Sequence, residues 1–104
     1  MKKVSANHRW TDADDVAALY VYRFDVQGLA RSRSALAQAL GISLGSFGMR
    51  IRNISFIDTG TGLSKCAKQT ERIYNQHRTT SEPELRAIVV TAIQRRRSVS
   101  SKKP

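Results

Sequence analysis

The sequence predicts an all-α fold: a compact five-helix domain built around a helix-turn-helix. Three observations lead there. Apolar residues recur three and four positions apart through most of the chain, the spacing of amphipathic helices and not the alternation of strands. Thr11 with Asp14, and Ser81 with Glu84, stand three apart ahead of apolar stripes, where a hydroxyl and a carboxylate can close the first turn of a helix. Gly28, Gly41 and the Gly60/Gly62 pair fall between the stripes, where helices must end.

The elements follow in order. The Thr11–Asp14 box opens a first helix over 12–25, with Val16, Leu19, Tyr20 and Phe24 on its apolar side and Trp10 placed to fold back on the first turn as a staple. Gly28 breaks that pattern. Ser34 is the expected cap of a short second helix with Leu36, Ala37 and Leu40 facing one way, ended by a positive φ at Gly41. Ser43 caps the third helix, whose expected buried stripe is Leu44, Phe47, Ile51 and Ile54, and the run from Asp58 to Gly62 reads as a tight loop. The fourth helix is expected over 64–78, packing through Leu63, Ala67, Thr70, Ile73, Tyr74 and His77. The fifth opens at the Ser81–Glu84 box, with Pro83 tolerated in its first turn, and carries the clearest stripe: Leu85, Ile88, Val89, Ala92 and Ile93. Residues 1–9 read as a basic arm, 10–97 as the folded domain and 98–104 as a disordered basic tail.

At 104 residues the chain suits one domain, and 40% apolar residues are enough for a small core. No apolar run approaches a bilayer span and the start lacks the apolar stretch of a signal peptide, so a cytoplasmic, nucleoid-associated location is expected. Cys66 is the only cysteine, which excludes an internal disulfide and any zinc site built on paired cysteines; a small buried residue is its expected role. The net charge is +10, unevenly spread. Residues 11–29 sum to −3 through Asp12, Asp14, Asp15 and Asp25 against Arg23. Residues 30–53 hold Arg31, Arg33, Arg50 and Arg52 with no acid at all, and Arg95, Arg96, Arg97, Lys102 and Lys103 crowd the end of the chain. Basic charge kept apart from acidic charge is the signature of a polyanion binder.

The segment 34–53 carries the chemistry. A helix-turn-helix needs a small residue where two short helices cross, a glycine at the turn, an apolar residue after it and apolar anchors along the second helix. Ala37, Gly41, Ile42, Phe47 and Ile51 supply these in order. Projected around the second helix, Gly45, Ser46, Met49, Arg52 and Asn53 lie opposite Phe47 and Ile51, with Arg50 at the flank. That face is polar and basic without a carboxylate, as a major groove demands. Ser46, Met49, Arg52 and Asn53 are the candidates for base edges. Arg31, Arg33, Ser43, Gly45, Arg50, Arg95, Arg96 and Arg97 are the candidates for phosphates, the glycine by close backbone approach.

Trp10-Thr11, the Ala37/Leu40-Gly41 turn, Gly45-Ser46-Phe47 with Met49, Asn53 and the loop from Asp58 to Leu63 resemble the small helix-turn-helix module at the N-terminus of some HNH-type restriction endonucleases and related stand-alone phage and bacterial proteins. The resemblance runs from about residue 10 to 74. It implies DNA binding through the second and third helices, with Asn53 and the glycine loop mainly structural. The residues contain no counterpart of the nuclease's catalytic half, so cleavage is not carried over.

Inspection for catalysis agrees. His8 and His77 are far apart and share no metal-ligand spacing, and Asp12, Asp14 and Asp15 suit a helix's first turn. The Thr59–Gly62 run lacks the lysine of a phosphate-binding loop. The expectation is a duplex-DNA-binding regulator or accessory factor that would suit a phage or mobile element. It is not an enzyme and calls for no cofactor or metal. One such helix reads few base pairs, which favours a homodimer, with the fifth helix as the interface. The alternative is a protein-interaction module docking on an acidic or nucleic-acid-processing partner. RNA binding ranks lower, because most of the seven aromatics fall on apolar stripes.

Overall fold

A computed structural model describes residues 9–60 and 68–101, the side chains of 97–101 excepted. Among them are five helices and no strand: α1 (Asp12–Phe24), α2 (Arg33–Leu40), α3 (Leu44–Thr59), α4 (Lys68–His77) and α5 (Glu82–Ser101), with one 3-10 turn, Gln27–Leu29, before α2. Several expectations lie outside the described residues: the arm before Arg9 with His8, the loop residues Thr61 and Gly62, the start of the fourth helix with Leu63, Cys66 and Ala67, the side chains of Arg97 and Val99, and Lys102 with Lys103.

Side chains accept free N–H groups where α1, α2, α3 and α5 begin. Thr11 accepts from the Asp14 N–H and Asp14 returns a carboxylate to the Thr11 N–H, both at 3.1 Å, so the capping box is complete. Ser43 caps α3 by accepting from the Ser46 N–H at 3.1 Å. The cap of α2 is Ser32 and not Ser34: Ser32 has the extended backbone of a cap, φ −77° and ψ 167°, and accepts from the Ala35 N–H at 3.0 Å, whereas Ser34 already lies inside the first turn. At α5, Ser81 accepts from the Glu84 N–H at 3.4 Å but gives its own hydroxyl proton to the Glu84 carboxylate, so only half of that box forms.

The ends differ more from expectation. α3 continues through Asp58 and Thr59 and closes at Gly60, whose N–H reaches the Phe56 carbonyl at 2.8 Å; the expected loop at 58–59 is the last turn of the helix. α5 runs through Ser101, past the boundary drawn at Arg97, because no glycine or proline interrupts the chain there. The disorder expected from Ser98 is therefore replaced by helix as far as Ser101.

α1 is the central element. It packs against α3, α4 and α5, while α2 packs against α3 and α5. Every residue of α1 from 14 to 21 is buried, so the one-sided stripe expected there is a helix enclosed on all sides. Ala17 and Ala18 occupy the faces that large residues leave, and their small side chains let the neighbouring helices close in. Phe47, Ile51 and Ile54 of α3, Ile73 and Tyr74 of α4, and Leu85, Val89 and Ile93 of α5 complete the core. Leu44 does not join them. It is 51% exposed, at the very start of α3, and the buried stripe begins one turn later.

Two glycines answer to local geometry. Gly41 adopts φ +76° at the turn between α2 and α3, as expected, and its N–H reaches back to Ala37 and Gln38. At Gly28 the requirement is space: a Cβ there would meet the Tyr20 hydroxyl and the Glu82 carboxylate, which hydrogen-bond each other at 2.5 Å. Arg23 joins α1 to the far end of α4, donating to the carbonyls of His77 and Thr80 while its guanidinium lies 4.6 Å above the Phe24 ring.

Candidate nucleic-acid interface

The burial of Phe47, Ile51 and Ile54 against α1 fixes the rotation of α3 and turns its opposite face outward. Gly45, Ser46, Met49 and Asn53 share that face and line a cleft of about 380 Å³, closed on its other side by Trp10. Met49 is 55% exposed, an unusual place for a thioether side chain in a small domain. At Gly45 nothing lies within 4 Å of where a Cβ would stand, so the backbone there is open to approach. Arg52 is exposed beside the cleft without lining it. Ser43 is half-buried, its oxygen taken by the cap and its proton left to donate.

Arg50 departs from its expected place at a phosphate. Its guanidinium turns inward, donating to both oxygens of the fully buried Asp15 carboxylate at 3.0 and 3.3 Å and to the Thr70 hydroxyl. It also stacks 3.9 Å from the centre of the Trp10 ring. Thr70 in turn donates to Asp15 at 2.9 Å, and Gln69 donates to Asp15 at 2.6 Å and to the Trp10 carbonyl at 3.1 Å. A buried carboxylate is tolerable only when paired and hydrogen-bonded, and these partners satisfy that need. The network ties α1, α3, α4 and the segment entering α1 into one unit. Trp10 is thus held by α3 and α4.

The signal for this network was present in the spacing. Arg50 stands three residues after Phe47 and four before Ile54, and Asp15 four before Leu19, so both sit at core positions of their helices. The dipole argument explains acids in the first turn of α1 but does not predict that Asp14 and Asp15 are buried.

The other arginines expected at phosphates are dispersed. Arg95 and Arg96 line a second groove of about 380 Å³ with Thr11, Asp12, Ala13, Asp14 and Ala92. Thr11 of this groove follows Trp10 of the α3 cleft in the chain, and the two share no lining residue. Arg96 lies 3.8 Å from the Asp14 carboxylate and close over Gly41, so α5 reaches the turn between α2 and α3. Arg33 lies elsewhere, 3.8 Å from Asp25, in a cavity of about 760 Å³ with Arg23, Glu82 and Arg86 that shares no residue with the cleft. Arg31 is half-buried in the turn before α2.

Two carboxylates near the surface are committed to partners. Asp12 is held below the usual carboxylate range by its hydrogen bonds with Arg72, at 2.9 and 3.3 Å, and Arg72 is pushed up in return. Asp58 accepts the hydroxyl protons of Tyr22, at 2.6 Å, and of Tyr74, which lower its pKa; the same bonds raise the pKa of both tyrosines. Tyr20 is raised chiefly by burial and then by its bond to Glu82. Among the described residues no group of three or more His, Cys, Asp or Glu could hold a metal ion.

The fold so defined is an all-α domain with a glycine turn between two of its helices. Comparison with protein-family models, curated proteins and solved structures finds no match. Among the described residues no helix is long and apolar enough to cross a membrane.

Proposed function

We propose that the chain binds duplex DNA, with α2, the Gly41 turn and α3 acting as a helix-turn-helix and α3 entering the major groove. The observation that carries this reading is the exposed face of α3, where Gly45, Ser46, Met49, Arg52 and Asn53 stand without a carboxylate on a chain of net charge +10. Arg95 and Arg96, which α5 carries to the start of α1 and, for Arg96, to the Gly41 turn, are the flanking phosphate contacts in this reading, with Arg31 and Ser43 near α2 and the turn. Arg50 leaves the phosphate set and becomes the support beneath the face. The role in the cell is that of a transcriptional regulator or accessory factor, with no catalytic step assigned.

Binding of fluorescent duplexes over a series of salt concentrations tests this. Log K is expected to fall linearly with log salt, at about −0.9 per phosphate contact. Arg52→Ala is expected to cost about 1 to 3 kcal/mol on a selected sequence and much less on random DNA, because Arg52 reads a base edge. Affinity flat in salt, or no binding to duplexes enriched from a random pool, would reject the reading.

Specific recognition by one helix calls for a second half-site and hence a homodimer. Leu85, Val89 and Ile93 of α5 are spent inside the protomer, so a dimer through α5 uses the face beside them, where Ala87, Ile88, Thr91 and Ala92 form a mostly apolar groove with Ala13, bounded at one end by Arg95, which in this reading turns from the groove to the phosphate.

A further inference from the structure

We propose that the cleft between Trp10 and α3 is a thymine-methyl site, reading an A·T pair with Asn53 on the adenine. This rests on the DNA-binding reading above and extends it to a residue, Trp10, outside the helix-turn-helix.

The lining of the cleft selects its ligand. Its only charged group is Arg50, whose guanidinium is already shared among Asp15, Thr70 and the Trp10 ring. A phosphate therefore has no cation to meet there. What remains is an apolar wall of indole, thioether and bare glycine backbone, with one hydroxyl and one amide: Trp10, Met49, Gly45, Ser46 and Asn53. Such a mixture fits a base edge. In the major groove of unmodified DNA thymine is the base that presents a methyl group, and adenine is the base that a carboxamide can meet with two hydrogen bonds, at N6 and N7. Ser46, Met49 and Asn53 stand at i, i+3 and i+7, one face of one helix, so the apolar and amide contacts fall along a single line.

Trp10 is positioned for this and not merely nearby. Arg50 holds the indole at 3.9 Å and Gln69 holds its carbonyl at 3.1 Å, so the wall is in place before DNA arrives and little ordering is needed on binding. Met49, exposed and polarizable, supplies the adaptable side of the cleft.

The probe is the duplex selected from a random pool, remade with each thymine in turn replaced by deoxyuridine, which removes the methyl and leaves base pairing intact. The wild-type chain is expected to bind about fourfold more weakly when the critical thymine is replaced, the factor that burying one methyl is worth. In Met49→Ala, an exposed position that leaves the core untouched, the difference between thymine and uracil is expected to fall close to unity. Trp10→Phe, which keeps an aromatic ring over Arg50, is expected to reduce it partway. Equal affinity of the wild type for every uracil-substituted duplex, or a full thymine preference retained in Met49→Ala, overturns the methyl site while leaving DNA binding standing. Failure to bind any duplex overturns both.

Discussion

Arg50 shows how a single side chain changes meaning once its neighbours are known. In sequence it is one of four arginines in an acid-free stretch. In the fold it is mostly buried and bonded to Asp15, Thr70 and Trp10. The pair is not a store of stability in itself, since an ion pair must repay its desolvation, but removing one partner leaves the other charged and buried. Arg50→Met is therefore expected to cost about 3 to 5 kcal/mol in urea denaturation. The double variant Arg50→Met with Asp15→Leu is expected to recover a large part of that loss. A single variant as stable as the wild type would show that Asp15 finds another partner or water.

Among the elements, the glycines of the α2–α3 turn and of α3 make opposite demands. Gly41 is left-handed, at φ +76°, with the Arg96 guanidinium 2.9 Å from where a Cβ would stand; Gly41→Ala is expected to destabilise by about 1 to 2 kcal/mol. Gly45 and Gly48 lie within α3 with open space around them, so Gly45→Ala and Gly48→Ala are each expected to stabilise by up to about 1 kcal/mol. Thermal melts of the three variants check the order. Helix-weakening glycine on an exposed face implies a use other than stability, and a Gly45→Ala protein that melts higher yet binds DNA less well would locate that use in the close approach of backbone to DNA. The boundaries of α1 and α3 at their N-termini were legible because caps are local chemistry, written in Thr11, Asp14 and Ser43. The far end of α3 was not. Asp58 looks like a turn residue by itself and is a helical one here, accepting from Tyr22 of α1 and Tyr74 of α4.

For the whole molecule the question is what α5 does with the face it does not bury at home. Its best stripe closes the core against α1, and a groove of about 310 Å³ lies beside it, the surface that the proposed dimer would use. Ala87 lies exposed on that groove, so Ala87→Glu is expected to leave helicity and melting temperature unchanged while converting a dimer to a monomer in sedimentation and weakening binding to paired half-sites. A wild-type chain that sediments as a monomer at all concentrations and on DNA would remove α5 from the interface.

The sequence alone determined the all-α class, the glycine turn between α2 and α3, the outward placement of Ser46, Met49 and Asn53, and the buried stripe of α5. Each depends on spacing along a helix or on bonds within four residues, which the chain carries with it wherever it folds. Packing between helices is what encloses residues 14–21 of α1 on every side, turns Arg50 to Asp15 instead of a phosphate, sets Trp10 as a wall of the α3 cleft and brings Arg96 rather than Arg33 to the Gly41 turn. The contacts of Arg50, Trp10 and Arg96 join residues 35 or more positions apart. A charge on one helix takes its role from whatever the packing of the others sets against it. For Arg50 that is a buried carboxylate on α1: its spacing from Phe47 and Ile54 marks a core position, but not the partner it meets there.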